Sequence, residues 1–345
     1  MKHLLSIILL TVCFTACKKD NNDLLQNDPA NSKSSIDGLS PTPVPAQYNW
    51  SRLANPNNPG SDPGGINVII PVNGAVYCIE GFYHFRTLFK LNINTKTWGP
   101  SNDFEIDAES QYLFSYGTKI YFGMMQTNAN TYKGMHSVDV ITGVKTTLAS
   151  FPSDGLNGPT TFVIGNKGYL MGGTTYSGSL NSHIYEYNFL TNQWLDKGNN
   201  PFGAARGGAS AYVIGNKAYL GLGYSKYYLA GQEITIPKND WILYDPASNL
   251  SATKADFPGQ KRYRADGFIM NDNIYLGFGY NNGYLTDFWK YNTSTNSWSQ
   301  QDGWPGTVVS GNNYFGTFSL GNTGYMVKGD LAEFWKFSNS PYVIQ

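Results

Sequence analysis
Ile164-Gly165-Asn166-Lys167-Gly168-Tyr169 is followed fifty residues later by Ile214-Gly215-Asn216-Lys217-Ala218-Tyr219. Each reads as the apolar end of one strand, a tight turn, and a second strand with a tyrosine near its start. Gly and Asn suit such turns because both tolerate a left-handed backbone. Four looser copies surround the pair: Val72-Asn73-Gly74-Ala75-Val76-Tyr77, Tyr116-Gly117-Thr118-Lys119-Ile120-Tyr121, Met270-Asn271-Asp272-Asn273-Ile274-Tyr275 and Leu320-Gly321-Asn322-Thr323-Gly324-Tyr325. The six tyrosines are 44, 48, 50, 56 and 50 residues apart. A recurrence of this length marks a repeat architecture with one small sheet per repeat.

A second phrase follows at a fixed phase: an aromatic strand, an Asn or Asp, a polar turn, then a Trp or apolar residue. Leu88-Phe89-Lys90-Leu91-Asn92 leads to Trp98, Ile184-Tyr185-Glu186-Tyr187-Asn188 to Trp194, and Phe288-Trp289-Lys290-Tyr291-Asn292 to Trp298. Trp241-Ile242-Leu243-Tyr244-Asp245 leads to a turn near Leu250 without a Trp, and Val138-Asp139-Val140 is a degenerate copy. The aromatics are expected to fill the space between neighbouring sheets. Small residues, as in Gly207-Gly208-Ala209-Ser210-Ala211 and Phe315-Gly316-Thr317, are expected where innermost strands crowd a central axis.

These phrases resemble kelch repeats of the galactose-oxidase-like superfamily. Only the third copy keeps the glycine doublet, Gly172-Gly173; others read Gly221-Leu222-Gly223 or Gly277-Phe278-Gly279. The resemblance covers about residues 48–340 and implies an all-β, six-bladed propeller. The last copy ends at Phe334-Trp335-Lys336-Phe337 without a Trp strand. Tyr48-Asn49-Trp50-Ser51-Arg52-Leu53 matches that missing strand and is predicted to close the ring in the last blade. Tyr342-Val343-Ile344-Gln345 competes for the place, but the Trp favours the N-terminal segment.

The beginning of the chain reads differently. Lys2 precedes an apolar run, Leu4 to Phe14, that is too short to span a bilayer as a helix. Residues 1–16 are predicted to be a secretory signal peptide. Phe14-Thr15-Ala16-Cys17 resembles a lipoprotein lipobox, which implies acylation of Cys17 and a membrane partner through that lipid. Lys18 in place of Asp points to the outer membrane. Lys18-Lys19-Asp20 and Asp23 loosely resemble a surface-export tag, which implies a place on the cell surface. Residues 17–46, rich in Asn, Asp, Ser and Pro, are expected to tether a propeller spanning 47–345.

Composition narrows function by exclusion. Without residues 1–16 the chain carries 23 basic and 24 acidic side chains. That balance offers no electrostatic footprint for nucleic acid. Cys78, in Val76-Tyr77-Cys78-Ile79, reads as a buried thiol, and no second cysteine remains to pair with it once Cys13 and Cys17 are set aside. Copper chemistry of the galactose-oxidase kind needs a Tyr–Cys cofactor and paired histidines, whereas His84, His136 and His183 stand at different phases of three repeats. Glu105, Asp107 and Glu109 alternate as a solvated strand edge does, without the spacing of a calcium loop. No cofactor and no metal are expected, and a monomer is.

Kelch-type propellers bind on the face that carries the loops entering each innermost strand and the loops joining second strands to third. The entering loops hold Asn157, Arg206, Arg262, Arg264, Asp266 and Asn313; the joining loops hold Tyr176, Tyr224, Tyr228, Glu233, Tyr280 and Tyr284. Arg206 and Arg264 could clamp a carboxylate bidentately. Internal pairing with Glu109, Asp266 or loop carbonyls is the competing role. Tyr176, Tyr224 and Tyr280, with Asn157 and Asn313, suit a sugar: rings stack on its faces and amides bond its hydroxyls. Two functions fit. One is a non-catalytic module that binds carbohydrate or a protein partner. The other, implied by six-bladed kelch mutarotases of sialic acid, is a sugar epimerase or mutarotase. There Arg206 or Arg264 would hold the carboxylate, and Glu109 or Glu233 would move the proton.

Overall fold
The computed structural model describes residues 48–53, 66–80, 87–95, 97–100, 110–124, 126–127, 130–131, 133–175, 177–307, 315–328 and 333–338. The signal peptide, Cys17 and the tether expected from the sequence lie outside them.

Six four-stranded antiparallel sheets form the blades of a β-propeller. Blade one is Ile66–Val72, Ala75–Glu80, Thr87–Asn92 and Thr97–Pro100; blade two is Ser110–Tyr116, Lys119–Met124, Met135–Asp139 and Lys145–Leu148. Blade three is Thr160–Ile164, Lys167–Met171, His183–Asn188 and Gln193–Asn199; blade four is Ser210–Ile214, Lys217–Gly221, Trp241–Asp245 and Leu250–Thr253. Blade five is Asp266–Met270, Asn273–Gly277, Phe288–Asn292 and Ser297–Gln301. Blade six is Phe315–Leu320, Thr323–Lys328 and Phe334–Ser338, completed by Asn49–Arg52. Every innermost strand lies against the innermost strand of the next blade, so the ring is closed.

The closing strand is the one the Trp pointed to. Trp50 pairs with Phe337 and Arg52 with Trp335, antiparallel. The Trp50 ring packs 4.9 Å from Phe337 and 5.1 Å from Phe288 of blade five, and its Nε1 donates to the Asp302 carbonyl at 3.2 Å. One N-terminal ring thus touches both sides of the seam.

Both sequence phrases are turn chemistry made visible. Gly165, Gly215, Asn271 and Gly321 all hold φ between 49° and 61° in their first turns. At the end of the third strand in blades one to five a side-chain carbonyl or carboxylate caps the next turn: Asn188 accepts from the amides of Leu190 and Thr191 at 2.9 and 3.2 Å, and Asn292 does the same for Ser294 and Thr295. Tyr187, Tyr244 and Tyr291 each donate at 2.7 Å to an Asn five residues on. Trp194 and Trp298 reach across to the carbonyls of Ala149 and Ala255 in the chain leading out of the preceding blade. Lost doublets keep their backbone: Leu222 and Phe278 stand where Gly172 does, with φ of 60° and 56° beside its 64°.

The crowding expected at the axis holds at Gly316, where a Cβ would collide with Ile69 of blade one. Gly207 and Gly208 are small for a different reason. They precede their strand, and the Tyr224 ring would lie 2.6 Å from a Cβ on Gly207. Tyr224 needs the bare backbone of Gly207 to sit where it does, and Gly208 holds a φ of 57°.

Two guanidinium groups lock the loops on the face where chains enter the innermost strands. Arg262, fully buried, donates to both carboxylate oxygens of Asp287 at 2.7 Å, to the Phe278 carbonyl at 3.0 Å and to the Gln260 carbonyl at 2.9 Å. Arg206 repeats this one blade earlier, with Asp240 at 2.7 Å through both nitrogens and the Leu222 carbonyl at 2.8 Å. Their guanidinium carbons lie over Phe257 and Phe202 at 4.8 and 3.9 Å. Burial pushes the Asp287 carboxyl up, but Arg262 outweighs it and holds the group below the ordinary carboxylate range.

Removing one partner of a buried ion pair strands the other charge, which costs about 3–5 kcal/mol. Asp287→Ala should therefore lower stability by about 3 kcal/mol in chemical denaturation, because Arg262 has no access to water. Asp240→Ala should cost clearly less, since the Asp240 side chain is 41% exposed and water can replace it at Arg206. Equal losses would show that the two pairs are not the blade staples described.

Candidate functional site
The innermost strands leave a channel of about 580 Å³ along the axis. A second hollow of about 510 Å³ opens beside it on the face of the entering loops, against blade five. Tyr263, Arg264, Tyr280, Tyr284 and Phe315 line this mouth pocket, and Asp266 lines both the pocket and the channel.

Two loops make the pocket wall, and they are tied together. Tyr263 and Tyr280 exchange backbone hydrogen bonds at 3.2 and 2.9 Å, and the Asn281 amide donates to the Lys261 carbonyl at 2.7 Å. The Tyr263 and Tyr280 rings lie 5.6 Å apart, Tyr280 and Tyr284 5.3 Å, and Tyr263 and Tyr224 5.0 Å. The wall is thus a run of four partly exposed tyrosines across blades four and five.

Arg264 breaks the local rule. The bridges Asn157–Thr174, Gly207–Tyr224 and Tyr263–Tyr280 are equivalent in successive blades. The next position is Gly158 in blade three and Gly208 in blade four, with φ of 59° and 57°, but Arg264 in blade five, with φ of 54°. A long side chain in that conformation costs on the order of 1 kcal/mol where glycine costs nothing. Its stem rests on Gly208, its side chain is exposed, and its guanidinium makes no hydrogen bond or ion pair with another described residue. Strain held at a cleft in this way points to function.

Asp266 departs from the pattern of blades three and four. Thr160 and Ser210 begin the innermost strands of blades three and four, and each donates its hydroxyl to a carbonyl of the next blade, Ala209 at 3.0 Å and Ala265 at 2.8 Å. Blade five begins with a carboxyl instead. Asp266 accepts from its neighbour Gly267 at 2.8 Å and from the Thr317 amide of blade six at 3.1 Å. Burial raises its pKa to about 6, against the pull of those hydrogen bonds. The buried Tyr212 hydroxyl is pushed well up, by burial first and by the Asp266 charge second.

The residues singled out from sequence do not all meet here. Arg264 and Tyr280 line the pocket, and Tyr224 extends its wall. Arg206 does not reach it, because its fork is spent on Asp240 and it is 6% exposed. In the repeat register its equivalent is Arg262, and Arg264 lies two residues further on. Counting arginines before a strand could not separate the two, since the bridge Tyr263–Tyr280 sets the register. Asn157 is exposed and stands one blade beyond Tyr224, at the position Tyr263 takes in blade five. Tyr176, Asn313 and Glu109 lie outside the described residues. Glu233 sits on an exposed hairpin, ion-paired with Lys226 at 2.9 Å, and that bond holds its carboxyl below the usual range, which makes it a poor base. Asp266 enters the sequence reading as one of the entering-loop residues and as a counter-ion for an arginine, with no chemistry of its own assigned to it. Its real signal is its place at the head of an innermost strand, where Thr160 and Ser210 have hydroxyls. Among the described residues no group of three or more His, Cys, Asp or Glu could hold a metal ion.

No protein-family model matches the chain, and no curated protein matches it. Among solved structures, that of YjhT is similar, with 17% identity over 64% of this chain and 71% of that one and a TM-score of 0.50. At such identity the likeness concerns the fold, a six-bladed propeller.

Proposed function
We propose that the protein binds a carboxylate-bearing sugar at the channel mouth. Arg264 receives the carboxylate, while Tyr263, Tyr280 and Tyr284 face the sugar ring. The observation that carries this reading is the Arg264 guanidinium, without a hydrogen-bond or ion-pair partner among the described residues and held by a left-handed backbone at the rim of a tyrosine-lined pocket. A guanidinium with both edges open suits a carboxylate, because it can donate two parallel hydrogen bonds. Rigid tyrosines contribute large contact area at small entropic cost. A protein partner would need a broad face; a pocket of about 510 Å³ suits a small ligand.

A second reading rests on Asp266. A carboxyl with a pKa of about 6 at the pocket floor can hold or release a proton near neutral pH, as a general acid or base must. In that reading the protein interconverts the anomers of its sugar, with Asp266 moving the proton. Nuclear magnetic resonance of freshly dissolved acidic sugar would test it. Equilibration accelerated by the protein and not by Asp266→Asn supports it; no acceleration leaves a binding module.

Two predictions test the primary reading. Arg264→Ala should weaken binding of an acidic sugar about tenfold or more in calorimetric titration, the worth of a charge-assisted hydrogen bond. Arg264→Gly should weaken it equally while leaving the thermal midpoint unchanged or higher, because glycine relieves the backbone strain. Binding that survives both substitutions would remove Arg264 from the site.

Asp266 sets the pH dependence. A ligand carboxylate in the pocket is repelled once Asp266 is ionised, so affinity should fall as pH rises through about 6. The same raised pKa means that the folded chain holds a proton the unfolded chain has lost between the ordinary Asp value and about 6. The group's contribution to stability is therefore present at low pH and lost across that window as pH rises. Asp266→Asn should flatten both profiles between pH 4 and 7; unchanged profiles would assign the titration elsewhere.

A further inference from the structure
The connection between the second and third strands of blade four runs far past its counterparts. Residues 172–182 and 278–287 suffice in blades three and five, whereas blade four inserts a hairpin, Tyr224–Leu229 paired with Gln232–Pro237. Ala230 and Gly231, with φ of 51° and 80°, make the two-residue turn that matches the twist of a hairpin. Its root is fixed at the mouth. Tyr224 exchanges backbone bonds with Gly207 at 2.8 and 3.0 Å, and Lys238 bridges to Arg262.

Strand alternation puts Tyr224, Lys226 and Tyr228 on one face of this hairpin, opposite Pro237, Thr235 and Glu233. Tyr224 is also the last ring of the tyrosine wall, so that face continues the pocket outward. The Lys226 ammonium lies 5.8 Å from the Tyr224 ring centroid and 2.9 Å from Glu233. The Tyr228 hydroxyl donates to the same Glu233 at 3.1 Å, although its side chain is 64% exposed. An exposed ring fixed at its far end has already lost the freedom that binding would otherwise cost. The charge pattern changes along this path. At the mouth stands a cation with no ion-pair partner among the described residues; on the hairpin Lys226 and Glu233 cancel, leaving donors and acceptors for hydroxyls and no place for a second carboxylate.

We propose that the hairpin is a distal subsite of the mouth pocket, and that the ligand is an oligosaccharide with its acidic unit at one end. This rests on the reading of the pocket as an acidic-sugar site. The acidic unit sits at Arg264, and the neutral units that follow lie along Tyr224 and Tyr228. Joining units that occupy adjoining sites makes the second contact intramolecular, so affinity rises with length.

The test compares free N-acetylneuraminic acid and free glucuronic acid with trisaccharides carrying the same acid at the non-reducing end of a neutral disaccharide. Calorimetric titration of the protein should give a trisaccharide affinity about tenfold or more above the monosaccharide's. Tyr228→Ala and Lys226→Met should pull that ratio toward one, and circular dichroism would verify that each variant is folded. A ratio near one in the unaltered protein, with Arg264-dependent binding of the monosaccharide, overturns the subsite and leaves the pocket reading intact. No binding of either form overturns both. A concentration-dependent dimer that Tyr228→Ala abolishes also overturns it, by giving the hairpin to a second copy of the chain.

Discussion
A propeller is a ring of small sheets, none of which can bury both its faces alone, so everything depends on closing the ring. Here closure is antiparallel pairing between segments almost three hundred residues apart, Asn49–Arg52 and Phe334–Ser338. The pairing joins the two ends of the fold, and Trp50 adds apolar area on both sides of the seam, touching Phe337 in its own blade and Phe288 in blade five. Burial of apolar surface is what drives the blades together. A chain that left this strand free would expose the edge of blade six, a row of unpaired backbone groups.

With the ring closed, two arginines tie down the loops of blades four and five. Arg206 and Arg262 hold the loop entering each blade to the loop joining its second and third strands. Each does so through a carboxylate and a carbonyl that only a left-handed Leu222 or Phe278 can present. Blade six uses smaller means at the equivalent place. Trp335 donates to Glu333 at 2.8 Å, as Trp289 does to Asp287 at 2.7 Å. These anchors repeat from blade to blade, and Arg262 uses its Nε as well, whereas the Nε of Arg206 is buried without a partner.

Function is sought where the repetition fails. Arg264 stands where blades three and four have glycine and finds no hydrogen-bond or ion-pair partner among the described residues; Asp266 stands where those blades have a hydroxyl and keeps a carboxyl half out of water. A natural chain is consistent across its repeats except where something other than folding sets the residue. Both exceptions fall in one blade, on one pocket, beside a wall of tyrosines. The blade-four hairpin is a third departure, and it begins from the outermost ring of that wall.

The fold was legible because its causes are local and repeated. Tight turns demand Gly or Asn, strand ends demand an Asx cap, and interblade space demands aromatics, so six copies of the turn phrase and five of the second phrase spell out six blades in order. Even the closing strand could be read, since Trp50 completes a pattern that the last copy leaves short. The site was legible only in part. Arg264, Tyr224 and Tyr280 carry chemistry that their loops advertise, but Arg206 looks the same as Arg264 on paper. Which guanidinium is consumed depends on where Asp240 and Asp287 stand, 34 and 25 residues downstream of the arginines they bind. The role of Asp266 likewise depends on burial against blade six, a contact 51 residues away. By itself, then, the sequence determined the blade count, the strand order and the closure, because turn chemistry acts between neighbours. Only the tertiary structure decided which charges are satisfied and which face the pocket, because pairing and desolvation act between residues that the chain keeps far apart.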